Sequence, residues 1–207
     1  MGYEGGDNLI GIRARLSLGC GAVRLLCIVY LAVMLGAGPQ AAAESSWQRH
    51  TIDDTSRGAD GVKLADVNRD GWTDITTGWE EGGLTRLYLN PGPQKAKGKW
   101  PSVTTGETPS VEDAVFVDLD GDGAVDVVSC CEGSTQCVFV QWAPKNAQDY
   151  LWGSDWRSES LPASRKLTRW MFCMPMEVDG KGRIDLIAGS KEPNAQIGWF
   201  EVPEDAR

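Results

Sequence analysis

Short apolar runs alternate with polar, glycine-rich turns along residues 47–205, and no apolar stripe keeps a helical period. The runs fall into three matching sets. Val62-Lys63-Leu64-Ala65, Ala114-Val115-Phe116-Val117 and Phe172-Cys173-Met174 each precede an acidic stretch. Ile75-Thr76-Thr77-Gly78-Trp79, Val127-Val128-Ser129-Cys130 and Leu186-Ile187-Ala188-Gly189 each follow one. After a polar turn come Arg86-Leu87-Tyr88-Leu89, Cys137-Val138-Phe139-Val140-Gln141-Trp142 and Ile197-Gly198-Trp199-Phe200. Short runs rich in β-branched and aromatic residues, bounded by turn residues, predict antiparallel strands.

The sets are in register. Trp47, Trp100 and Trp156 each open an extended stretch, and the acidic stretch begins 19, 18 and 21 residues later. A proline stands 44, 44 and 47 residues after each Trp, at Pro91, Pro144 and Pro203. Four strands in a unit of about 50 residues suit a propeller blade. The expected blades are 60–107, 112–162 and 170–205, the last without its outer strand. Residues 47–52 are then an orphan outer strand that could pair with the last blade. Propellers close with about four to eight blades. About three are present, so the expectation is part of a larger propeller. Self-assembly of copies into a ring and open stacking of the sheets are the alternatives.

The acidic stretches carry the candidate chemistry. Asp66-Val67-Asn68-Arg69-Asp70-Gly71-Trp72-Thr73-Asp74 has side-chain oxygens at positions 1, 3, 5 and 9 and glycine at 6. Alternate side chains of a tight loop turn inward, and Trp72 can add its carbonyl at position 7. Calcium takes about six to eight such oxygens. The spacing recurs over Asp118, Asp120, Asp122, Ala124 (carbonyl) and Asp126. The third copy is degraded: Glu177, Asp179 and Asp185 remain, but Lys181 stands at position 5. An ammonium there could take the cation's place and bridge Asp179 and Asp185. An EF-hand needs a glutamate at position 12 and flanking helices. Position 12 is Thr77 or Ser129, and both flanks read as strands.

These loops and their flanking strands resemble the FG-GAP/VCBS repeats of integrin α-chain propellers and of many secreted bacterial proteins. The resemblance covers residues 47–205. It implies a calcium-stabilised propeller of about seven blades in full-length relatives. It also implies Asp66, Asn68, Asp70, Trp72, Asp74, Asp118, Asp120, Asp122, Ala124 and Asp126 as calcium ligands. Adhesive, ligand-binding and enzyme-associated members share the repeat, so it does not fix a function.

Composition narrows the remaining choices. Arg13, Arg15 and Arg24, the apolar run 25–36 and Ala41-Ala42-Ala43 predict a secretory signal over residues 1–43 and an exported, secreted or periplasmic chain over 44–207. Glu4 and Asp7 are unusual in a signal and put the start codon in question. Residues 44–207 hold 17 basic and 27 acidic side chains, a net charge of −10. That argues against a nucleic-acid partner, which needs a basic surface. His50 is the single histidine and falls on the orphan strand, away from a propeller's axis, so a Ser-His-Asp triad is not expected. Zinc-finger spacing is absent. Of Cys130, Cys131, Cys137 and Cys173, Cys131 and Cys137 could form a cross-strand disulfide, with a strained vicinal Cys130–Cys131 bridge and free buried thiols as the alternatives.

Trp47, Trp100 and Trp156 recur with the repeat and are expected to pack the blades; Trp72 and Trp170 do not recur and are expected to be exposed. A propeller takes ligands near the starts of its inner strands, which here means Asp60, Glu112, Asp113, Arg169 and Trp170. The expected function is a binding or interaction module, for a protein or carbohydrate, with structural calcium. The alternatives are the scaffold of a secreted polysaccharide lyase or hydrolase using paired carboxylates, and a truncated product without a function of its own.

Overall fold

The computed structural model describes residues 47–207. The signal segment expected over residues 1–43 lies outside the described residues. Arg49–Arg207 form one compact unit. Among the described residues there is no α-helix, and no helix long and apolar enough to cross a membrane.

Among the described residues, eleven strands form three antiparallel sheets. The first sheet runs β1 (Ala59–Ala65), β2 (Asp74–Trp79), β3 (Leu84–Tyr88), β4 (Ser102–Glu107). The second runs β5 (Val111–Val117), β6 (Asp126–Cys131), β7 (Cys137–Trp142), β8 (Arg157–Ser160). The third has β9 (Arg169–Met176), β10 (Asp185–Lys191) and β11 (Ile197–Phe200), with β10 central and, among the described residues, no fourth strand. In each, the acidic loop joins the first strand to the second. These are the all-β, propeller-type blades that the repeat predicted.

The innermost strands β1, β5 and β9 stand side by side, and the sheets pack face to face through two apolar cores. The period-2 alternation of a strand decides which residues face which neighbour. Ala114, Phe116 and Val127 turn toward the first sheet, where Leu87 and Val103 are buried. Val115, Val128, Cys130 and Val140 turn toward the third, against Trp170, Cys173, Leu186 and Ala188. The strands approach closely at Gly61, where φ is 60° and a Cβ would sit 2.6 Å from the Asp113 Cα. Only glycine satisfies both demands.

The structure departs from expectation at several residues. Arg49–Ile52, within the expected orphan strand, form no strand. Of the repeated tryptophans, Trp156 is buried against Tyr150, Trp100 is half-buried and Trp47 is fully exposed. Trp170 is buried rather than exposed: its indole N–H donates to the Ser164 carbonyl and its ring meets Phe200 edge-on. Cys130, Cys131, Cys137 and Cys173 are buried free thiols, although Cys131 and Cys137 pair directly across β6 and β7.

Candidate metal centre

The three acidic loops share one backbone plan. The glycine at position 6 has positive φ in each, 87° at Gly71, 89° at Gly123 and 78° at Gly182. That left-handed turn brings the amide of position 6 back to the carboxylate of position 1. Gly71 N donates to Asp66 at 3.0 Å, Gly123 N to Asp118 at 3.0 Å, and Gly182 N to Glu177 at 3.5 Å. The loop therefore folds around its own first acid.

The acid at position 9 is a buried clamp in all three. One oxygen of Asp74 accepts from Val67 N at 3.0 Å and the other from Asn90 N at 2.8 Å. Asp126 accepts likewise from Leu119 N at 3.1 Å and Ala143 N at 2.8 Å. Asp185 accepts from Val178 N at 3.2 Å and Val202 N at 3.0 Å. Each clamp ties the loop to the residues just after the third strand. Burial pushes the Asp126 carboxyl up to about 7, with the charges of Asp120 and Asp122 adding to it against the two amides. Burial also raises Asp74, with Asp70 and Asp66 contributing.

The loops differ in how their inward oxygens are satisfied. Both oxygens of Asp66 accept backbone amides, from Asp70 and Gly71. Asp118 Oδ1 is buried with no hydrogen-bond partner. Carboxylate oxygens of Asp118, Asp120 and Asp126 lie within 4.8 Å of one another. Calcium holds its oxygens at about 2.3–2.6 Å, so oxygens this close can share one ion. The donor set is hard and anionic, which suits calcium rather than zinc. Asp122 points one oxygen at the Ala124 amide, 2.9 Å away. Arg207 reaches into this loop, 3.3 Å from Asp120 and 3.1 Å from Asp122. No spacing rule marks that guanidinium, because it is 85 residues from Asp122 in the chain.

In the third loop the Lys181 ammonium pairs with Asp179 at 2.8 Å and with Glu201. The expected bridge from Asp179 to Asp185 is not formed. Both Asp185 oxygens already accept backbone amides, and Glu201 on the following segment is the free acid in reach. An open groove of about 490 Å³ separates the second loop from the third, lined by Asp120, Pro175, Arg183 and Ile184 among others.

The residues expected to meet a ligand at the axis are not one exposed site. Asp113 is buried and binds Lys63 of β1 and the Cys173 amide of β9, at 3.4 Å for the latter, so it joins all three inner strands. Trp170 is buried in the core between the second and third sheets. Asp60, Glu112 and Arg169 remain accessible. Glu112 lies in an acidic group with Glu80 and Glu132, and Lys191 pairs with Glu132. Burial, then contact with Glu132, pushes Glu112 up to about 7. His50 is exposed and lines a groove with Thr51, Ile52 and Trp79.

Together these features define a protein class: an all-β array of propeller-type blades whose inner turns are acidic nine-residue loops. Residues 66–129, from the first acidic loop through most of β6, match the family model of the FG-GAP-like repeat. The chain carries FG-GAP-like repeat sequence over that span, and such repeats form β-propeller blades. None of the curated proteins matches the chain.

Proposed function

We propose that this chain is an exported β-propeller-type interaction module whose acidic loops bind structural calcium. The FG-GAP-like repeat supports the coarse part of that reading, an interaction module. The observation that carries the calcium part is the buried, unpartnered Asp118 Oδ1 in a loop where the carboxylates of Asp118, Asp120 and Asp126 converge. A buried acceptor without a partner is costly, and a cation satisfies it. Asp118, Asp120, Asp122 and Asp126 with the Ala124 carbonyl would hold one ion, and Asp66, Asn68, Asp70 and Asp74 with the Trp72 carbonyl a second. Bound calcium supplies positive charge to oxygens that otherwise repel, and it holds β1 to β2 and β5 to β6.

The test is denaturant unfolding of the chain in calcium and in chelator. Extracellular calcium modules bind with Kd of about 0.1–1 mM. At twice the upper value, each occupied site adds about 0.7–1.8 kcal/mol. Asp118→Asn is expected to lose the share of the second loop. Identical stability in calcium and chelator overturns the reading.

A further inference from the structure

Two sheet faces at opposite ends of the array are apolar and uncovered. On the third sheet, the strand register sets Phe172, Gly189 and Ile197 in one row and Met174, Ile187 and Trp199 in the next, all on one face. Phe172 is 62% exposed and Ile197 82%. On the first sheet, Leu64 pairs with the half-buried Ile75, with Val62 beside them, while Tyr88, next in the row, is buried under Asp53. Leu64 is 64% exposed and Val62 58%. Contiguous apolar faces of this kind mark interfaces.

The chain's own repeat says what fits them. Leu64 and Val62 precede their acidic loop by two and four residues, as Phe116 and Ala114 do, and Phe116 and Ala114 pack onto the first sheet. Met174 and Met176 precede theirs by three and one, as Val115 and Val117 do, and those two pack onto the third sheet. Each uncovered face is thus the same half of a blade–blade contact that the chain already makes twice. The first sheet presents the half that receives a preceding blade, and the third presents the half that receives a following one.

The strand count agrees. Among the described residues the third sheet has β11 at an open edge, where the other two sheets have β4 and β8. Residues 49–53 lie without a strand partner along the rim of the uncovered face of the first sheet, lining a groove of about 340 Å³ with Val62, Ile75 and Trp79. Asp53 is anchored there by Arg86 and Tyr88. By repeat position this stretch corresponds to β4 and β8. A third sheet docked on that face would bring β11 alongside it.

We infer that two copies of this chain close one six-bladed ring, the third sheet of each docking on the first sheet of the other and taking residues 49–53 as its outer strand. The contact is head-to-tail, and such contacts form a closed ring when the rotation allows. Propellers close with about four to eight blades, and two copies of these three sheets make six. The inference rests on no acidic loop, so it and the calcium reading can fail separately.

The experiment is native mass spectrometry and sedimentation of the exported chain in calcium, with Leu64→Asp and Ile197→Asp variants. The chain is expected to run as two copies. Each variant alone is expected to halve the mass with an unchanged circular dichroism spectrum. An equimolar mixture of the two is expected to restore a two-copy particle, because it retains one intact contact. An unfolded variant could not give that rescue. A one-copy or three-copy mass for the unsubstituted chain overturns the inference. So does dissociation by Ile197→Asp but not by Leu64→Asp, which would mean that the open edges pair with each other.

Discussion

The second and third acidic loops have the same backbone and different counter-charges. Both turn on a glycine at position 6, and both end on a buried aspartate that accepts two backbone amides. In the second loop, Asp118, Asp120 and Asp126 converge and one buried oxygen has no partner. In the third, Lys181 brings its own cation to Asp179 and Glu201. The fold of the loop thus requires the glycine and the terminal aspartate. The middle acids are free to be neutralised by whatever cation is at hand. The position-9 aspartate is a clamp first and a candidate ligand second.

The comparison can be broken most severely at those clamps. Asp185→Ala leaves one buried and one part-buried amide without acceptors and is expected to destabilise the chain by about 2–4 kcal/mol. Asp126→Ala is expected to cost a similar amount in chelator and more in calcium, since it would remove a ligand as well. Denaturant unfolding in the two buffers measures both, and an equal cost in both for Asp126→Ala would make it a clamp only. Lys181→Asp sharpens the contrast from the other side by restoring the position-5 carboxylate. Calorimetric titration is expected to find one more calcium per chain than in the parent, and an unchanged count would mean that Glu177 cannot serve as the first ligand.

Smaller effects test the neighbouring cations. Arg207 is the counter-charge that the second loop already has, and it competes with any metal there. Surface pairs contribute up to about 1 kcal/mol, so Arg207→Ala is expected to tighten calcium binding by up to about fivefold. A loss of affinity would instead make Arg207 a brace for the loop. The Glu80, Glu112 and Glu132 group is a third case, with Lys191 as its cation. Glu112 has its folded pKa raised to about 7 from the usual 4.5. The fold therefore favours its neutral form, which stabilises below pH 4.5 and loses that advantage as the pH rises through 7. Glu112→Gln is expected to match the parent at pH 4 and to exceed it at pH 8 by less than about 1 kcal/mol. A flat difference across that range would place the excess charge elsewhere.

Two residues show where reading the chain fell short. Trp170 breaks the Trp repeat, which suggested exposure, yet it fills the core between two sheets. Asp113 stands at the start of an inner strand, where a ligand would be met, yet Lys63 and the Cys173 amide hold it as the tie among β1, β5 and β9. In both cases the deciding partner lies in another blade: Lys63 is 50 residues away from Asp113 and Cys173 is 60. Local spacing carries no signal about such pairs.

What the chain's own order determined was everything of short range. Alternation along each run set the strands and their two faces, and the nine-residue spacing with its glycine set the loop that folds on its first acid. The repeat of both set three blades in register. What only the tertiary structure decided was the use made of each polar group. Whether a carboxylate is a clamp, an interblade tie or an oxygen left open to a cation depends on which amides and cations are packed around it. Those arrive from neighbouring sheets, across distances in sequence that no local pattern spans.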